Sequence, residues 1–126
     1  MLNKYRQHQN FEARVMLAYQ TRYPHARLWQ SPTGNCYALY SVINAFKVLM
    51  KTRSIVAAKK ALIRVVYGKV GQGDITGINL GRFVSIEIKT GRSIQSTDQK
   101  NFQKMIEDRG GQYLVVRDSI PIEDQI

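Results

Sequence analysis

Strict period-two alternation from Arg82 to Lys89 is the strongest constraint on what this chain can fold into. Phe83, Ser85, Glu87 and Lys89 fall on one side of an extended segment and Val84, Ile86 and Ile88 on the other. Such a pattern is a strand and not a helix. The segment Asp74-Ile-Thr-Gly-Ile78, rich in β-branched residues, reads as its partner, with Asn79-Leu-Gly81 between them as a tight antiparallel turn in which Gly81 supplies a positive φ. Folding the chain about Leu80 sets residue 74 opposite 86 or 87. The hairpin thereby brings Asp74 to Glu87, and the pleat places Lys89 on the side of Glu87.

Two carboxylates on neighbouring strands with a lysine two residues beyond the second suit a hard divalent cation. Such an ion takes a few carboxylate oxygens and keeps room for water and a phosphate oxygen, while a lysine beside it can orient the attacking water or offset charge in a phosphoryl transition state. Taken alone, though, the three charges read more economically as a turn aspartate and an ordinary surface ion pair.

The order of motifs around them adds to this. Gly71-Gln-Gly-Asp74-Ile-Thr-Gly, then Gly81-Arg-Phe-Val-Ser-Ile-Glu87-Ile-Lys89, then Gln95-Ser-Thr-Asp-Gln99-Lys-Asn-Phe and Gly110-Gly111-Gln-Tyr-Leu-Val-Val-Arg resemble the VRR-NUC domain, the virus-type replication-repair nuclease branch of the PD-(D/E)xK superfamily. The resemblance is close over residues 70–118 and looser over residues 9–34. It implies a restriction-endonuclease-like α/β core with a mixed central β-sheet flanked by helices, and metal-dependent phosphodiester hydrolysis. On that footing Asp74 and Glu87 are metal ligands, Lys89 is the catalytic lysine, and Glu12, in a Glu-Ala-Arg-Val run, completes the metal site. The Ile88 carbonyl joins them in holding one or two Mg2+ or Mn2+ ions, and Gln99 supports the ligands or orients phosphate. The proline that precedes the aspartate in the family is Gly73 here.

At 126 residues the chain has room for one domain with one core. A formal net charge of +10 points to a polyanionic partner. Its placement is uneven: no Asp or Glu occurs from Ala13 to Gly73, where Arg14, Lys47, Lys51, Arg53, Lys59, Lys60 and Lys69 lie. With Arg92 these are the candidate DNA contacts. One cysteine, Cys36, excludes an internal disulfide, and with two histidines the soft-ligand supply is too thin for a zinc site; Cys36 reads as a small apolar residue, buried or partly buried. The polar start MLNKYRQHQN gives no secretory leader, and no apolar run is long enough to span a membrane. The expected setting is the cytoplasm of a bacterial or phage-infected cell.

Along the chain, helical spacing covers residues 6–22, Ala26–Trp29 reads as a short strand with Trp29 in the core in preference to stacking on a base, and residues 36–63 read as a helical insertion. Within it one helix runs from Asn35 to about Met50 and a second, capped by Ser54, from there to Ile63. Arg64–Tyr67 is a short strand, Ser96–Arg109 a helix capped by Ser96, and Tyr113–Val116 an apolar strand expected in the middle of the sheet; the tail after Arg117 is expected to be peripheral. The insertion carries more apolar positions (Tyr37, Leu39, Tyr40, Val42, Ile43, Phe46, Val48, Leu49, Met50) than one face against a core uses. This suggests a homodimer, and two active sites on a two-fold axis suit a four-way (Holliday) junction. The competing expectations are a non-catalytic basic nucleic-acid-binding protein and a nuclease acting on flaps or nicked DNA.

Overall fold

In the computed structural model residues 2–31, 34–67 and 69–126 are described. The elements are α1 (Leu2–Arg22), β1 (Arg27–Gln30), β2 (Gly34–Tyr37), α2 (Leu39–Thr52), α3 (Ile55–Ala61), β3 (Arg64–Tyr67), β4 (Ile75–Asn79), β5 (Arg82–Lys89), α4 (Thr97–Glu107) and β6 (Gln112–Arg117), with a final 3-10 turn at Ile122–Asp124. The chain divides into two compact units, Met1–Ser31 with Lys69–Ile126, and Pro32–Gly68.

The first unit is a mixed four-stranded sheet in the order β1-β4-β5-β6 between helices. The expected hairpin is present: Ile75 pairs with Ile86 and Asn79 with Arg82. Its two-residue loop uses positive φ at both Leu80 (49°) and Gly81 (79°), the backbone a type I′ turn requires to follow the strand twist. β6 runs parallel to β5, with Glu87 beside Val115, and α4 makes the crossover that a parallel pair needs.

Alternation along β5 decides the two layers. Val84, Ile86 and Ile88 join Phe11, Val15 and Tyr19 of α1, together with Ile75, Val116 and Ile122, in one core. Val15, Tyr19, Ile75, Val84 and Ile86 are completely buried, each side chain stabilising the fold by about 1.5–3 kcal/mol. On the opposite side, Ser85, Glu87 and Lys89 are also buried. There α4 brings Phe102 edge-on to Tyr113, ring centres 6.2 Å apart, and Gln99 to Glu87.

Several local expectations are corrected. Trp29 is 46% exposed: β1 is an edge strand whose inward residue is Leu28, so the pleat turns Trp29 to solvent. β6 lies at the edge of the sheet and not in its middle. Its apolar character comes from cover on both faces, with Tyr113 toward α4 and Val116 in the α1 core. The tail is not peripheral, because Ile122 is buried in that core and the Gln125 side chain both accepts from Arg117 N (2.7 Å) and donates to Arg117 O (2.8 Å).

The second unit is a two-stranded ladder with two helices in its connection. β2 and β3 pair antiparallel, Gly34 with Tyr67 through Tyr37 with Arg64, and Ala38 N continues the ladder to Ile63 O at 2.9 Å. The helix expected from Asn35 therefore begins only at Leu39, since residues 35–37 belong to a strand whose partner lies some thirty residues later. Cys36, expected to be buried or partly buried, is exposed on that strand. Ser54 caps α3 as anticipated, accepting from Ala57 N, and Arg53 ends α2 in a left-handed C-cap. Among the described residues no helix is long and apolar enough to cross a membrane.

Candidate functional site

β5 outruns β4 at its C-terminal end, and the side chain of Asp74 takes over where the ladder stops. Ile88 N donates to Asp74 Oδ2 at 2.8 Å, while Asp74 O accepts from Ser31 N at 2.8 Å, continuing the β1–β4 pairing. Both ends of Asp74 are thus held, and Oδ1 has no donor among the described residues. Gly73 makes this approach possible. Its N–H donates to the buried Ser85 Oγ at 3.0 Å, and a Cβ there would stand 2.6 Å from Ile86 O. Proline at this position would lose that hydrogen bond and meet the β5 backbone, so the glycine is a requirement of this packing.

Around Glu87 a small network closes. Lys89 Nζ lies 3.0 Å from Glu87 Oε1 and donates to Gln99 Oε1 at 2.9 Å. Gln99 Nε2 donates to the same Glu87 Oε1 at 2.6 Å. Gln99 is placed by its helix: it is the third residue of α4, and its side chain also accepts from Ser96 N at 2.9 Å while Ser96 Oγ accepts from Gln99 N, a complete capping box. The start of α4 sits close against Gly71, where a Cβ would overlap Asp98 O at 2.1 Å. Glu87 Oε2 has no donor among the described residues.

Glu12 comes from α1 and is 7% exposed. His8, one turn earlier, places Nδ1 3.8 Å from Glu12 Oε2. Burial raises the Glu12 carboxyl above its ordinary range and the charge of Asp74 adds to this, with His8 and the nearby Gln30 pulling weakly the other way. Glu87 is likewise raised, first by burial and then by Asp74, with Lys89 and Gln99 opposing. Asp74 therefore acts electrostatically on both glutamates, and among the described residues only Lys89 supplies a buried cation against three carboxylates. Surplus negative charge of this kind is what a divalent cation offsets. As they stand, however, no three His, Cys, Asp or Glu side chains among the described residues are drawn together into a ready-made metal group.

The hairpin thus brings together Asp74, Glu87 and Lys89 and α4 adds Gln99, with Asp74 acting electrostatically on Glu12 and the Ile88 backbone bound to the Asp74 carboxylate. The proposed DNA contacts are all exposed: Arg14, Lys69 and Arg92 on the first unit, Lys47, Lys51, Arg53, Lys59 and Lys60 on the second. Two residues escaped the sequence reading. His8 had a signal, its i,i+4 spacing to Glu12 on one helix. Tyr113 had none, being the polar end of an apolar strand. Its buried hydroxyl has no hydrogen-bond partner among the described residues, and burial followed by the charge of Glu87 pushes its pKa up to about 12; Gln95 is near enough to ease this slightly.

The chain matches no protein-family model and no curated protein.

Proposed function

We propose that this protein is a Mg2+- or Mn2+-dependent DNA endonuclease that hydrolyses phosphodiester bonds, acting as a homodimer on four-way junctions. The observation that carries the reading is the buried Glu87–Lys89–Gln99 network beside Asp74. It holds a lysine ammonium and the incompletely satisfied Glu87 carboxylate at the end of β5, with that of Asp74 bound to the same strand from the start of β4, where a loose surface ion pair would have no need of burial or of a helix cap.

Asp74 and Glu87, with Glu12 and the Ile88 carbonyl, are the groups that would hold the cation, which when bound supplies an acidified water and charge neutralisation at the phosphate. The chain's own contribution is positioning. Asp74 is fixed by the Ile88 amide, leaving one oxygen free. Lys89 is steered by Gln99 and Glu87, so its one remaining hydrogen can meet a water or a phosphoryl oxygen. Exposed cations on both units supply sequence-independent affinity for the phosphate backbone.

A second reading has its own support. Two of the three Lys89 hydrogens are taken up by Glu87 and Gln99, and among the described residues there is no ready-made metal group, as suits a basic DNA-binding module whose charges are structural. Incubating labelled four-way junctions, flaps and linear duplex with the protein, with and without Mn2+, separates the two. Cation-dependent cleavage that Asp74→Asn and Glu87→Gln each abolish, with DNA affinity within about threefold of the parent, supports the nuclease. Tight binding without cleavage in any divalent cation supports the binding module.

A further inference from the structure

α2 in the second unit leaves an apolar seam uncovered. It buries Ser41 and Ala45, its small residues, which are 1% and 7% exposed, on the face that α3 covers, with Ala58 of α3 buried as well. The opposite line of the helix carries Leu39, Ile43, Phe46 and Met50, exposed by 75, 49, 63 and 54%. Their spacing of four, three and four residues is that of the a and d positions of a two-helix coiled coil. Val42 lies along one flank, Tyr40 and Lys47 along the other. An apolar stripe of this size on an otherwise charged chain marks a contact.

The unit's charge narrows the occupant. Between residues 32 and 68 there are six cations and no acid, and a nucleic acid would meet the cations but has no use for four aligned apolar side chains. The spacing also reads the same in both directions. Run antiparallel across a two-fold axis, the seam sets Leu39 against Met50 of a second copy and Ile43 against its Phe46, a larger side chain meeting a smaller one at the centre. In that register Lys47 faces the other copy's Tyr40 and not its Lys47, replacing like-charge repulsion by a cation–π contact. Together with Tyr40 and Val42 these side chains expose on the order of 600 Å² per copy, a ceiling on what pairing can bury that meets the lower end of specific interfaces at about 600 Å² per partner.

We infer that α2 pairs antiparallel with α2 of a second copy of this chain, in the Leu39–Met50 and Ile43–Phe46 register. The inference rests on the dimeric part of the proposed function and not on its catalytic part. Sedimentation velocity from 1 to 100 µM should show a species of twice the chain mass that dissociates in the micromolar range. Phe46→Glu, at an exposed position, should leave the far-UV circular dichroism unchanged and the protein monomeric throughout. For orientation, a Cys36→Ser background carrying Ile43→Cys in one preparation and Phe46→Cys in another should cross-link 43 to 46 on mixing, in preference to 43 with 43. A wild-type monomer at 100 µM overturns the pairing, as does a dimer indifferent to Phe46→Glu; 43-to-43 cross-links formed in preference to 43-to-46 overturn the antiparallel register. Wild-type monomer that sediments with phosphatidylserine vesicles, and loses them on Phe46→Glu, assigns the seam to a lipid surface instead. A confirmed dimer that cuts no DNA leaves this inference standing and removes the catalytic reading.

Discussion

Gln99 is the residue whose removal should reveal most about how the site is built, because one side chain serves the fold and the charges together. In Gln99→Ala the helix loses the acceptor for Ser96 N, and Lys89 and Glu87 each lose a partner. Losing this half of the capping box, with the Ser96 side-chain cap intact, costs about 0.5 kcal/mol. Each hydrogen bond to a charged group contributes about 1.5 kcal/mol at the low end, the appropriate end here since Gln99 is only half-buried and water can partly replace it. The sum is about 3–4 kcal/mol, which for a chain of this size lowers Tm by about 10–15 °C. Gln99→Glu separates the two roles: it keeps an acceptor at the cap and a partner for Lys89 but turns the donor to Glu87 into a second carboxylate. Its melting temperature at pH 7 should stay below that of the parent, and the deficit should shrink as pH falls and one of the two carboxylates takes a proton. Differential scanning calorimetry at several pH values between 4 and 8 measures both. Gln99→Ala melting within 2 °C of the parent would refute the network, and a Gln99→Glu deficit unchanged by pH would refute the placement of Glu87.

Other expectations follow from the same geometry. Glu12 is a carboxyl whose folded pKa is raised above its ordinary 4.5, so its ionisation destabilises the fold as pH rises from about there through the folded value; Glu12→Gln should raise Tm at pH 7, lose that gain below the ordinary value, and abolish cleavage. A Glu12→Gln variant less stable than the parent at pH 7 would show that its partners outweigh its burial. Gly73→Ala should cost about 1–3 kcal/mol as β4 and β5 separate around the new methyl group, and cleavage should fall by more than stability alone explains because Asp74 moves with the backbone; unchanged urea midpoints would show that the strands yield freely. If about five of the exposed cations touch phosphates, log K should fall with log salt at a slope of about −4 to −5. Charge reversal at Lys59 and Lys60 should flatten that slope without changing the rate at saturation, and a filter-binding slope indifferent to the reversal would remove α3 from the DNA surface.

What the sequence determined by itself is local. Period-two alternation fixed β5 and its two faces, the Asn79-Leu-Gly81 turn fixed the hairpin and hence the meeting of Asp74 with Glu87, and Ser54 and Ser96 marked where α3 and α4 begin, because each of these signals is read over a few neighbouring residues. Only tertiary structure decided the rest. The pairing of β2 with β3 depends on a partner some thirty residues away and converted residues 35–37 from helix to strand. β6 looked central because its side chains are apolar, yet hydrophobicity reports cover on the faces and not hydrogen-bonded neighbours at the edges, so a strand at the sheet's margin carries the same signature. Trp29 failed for the complementary reason: its bulk suggested the core, while the pleat of an edge strand, set by Leu28, pointed it outward. The burial of Glu12, Glu87 and Lys89, and with it the raised carboxyl pKa values, arises where α1, α4 and the hairpin converge. No short window of sequence records that convergence, since desolvation is a property of everything packed around a group and not of the residues beside it in the chain.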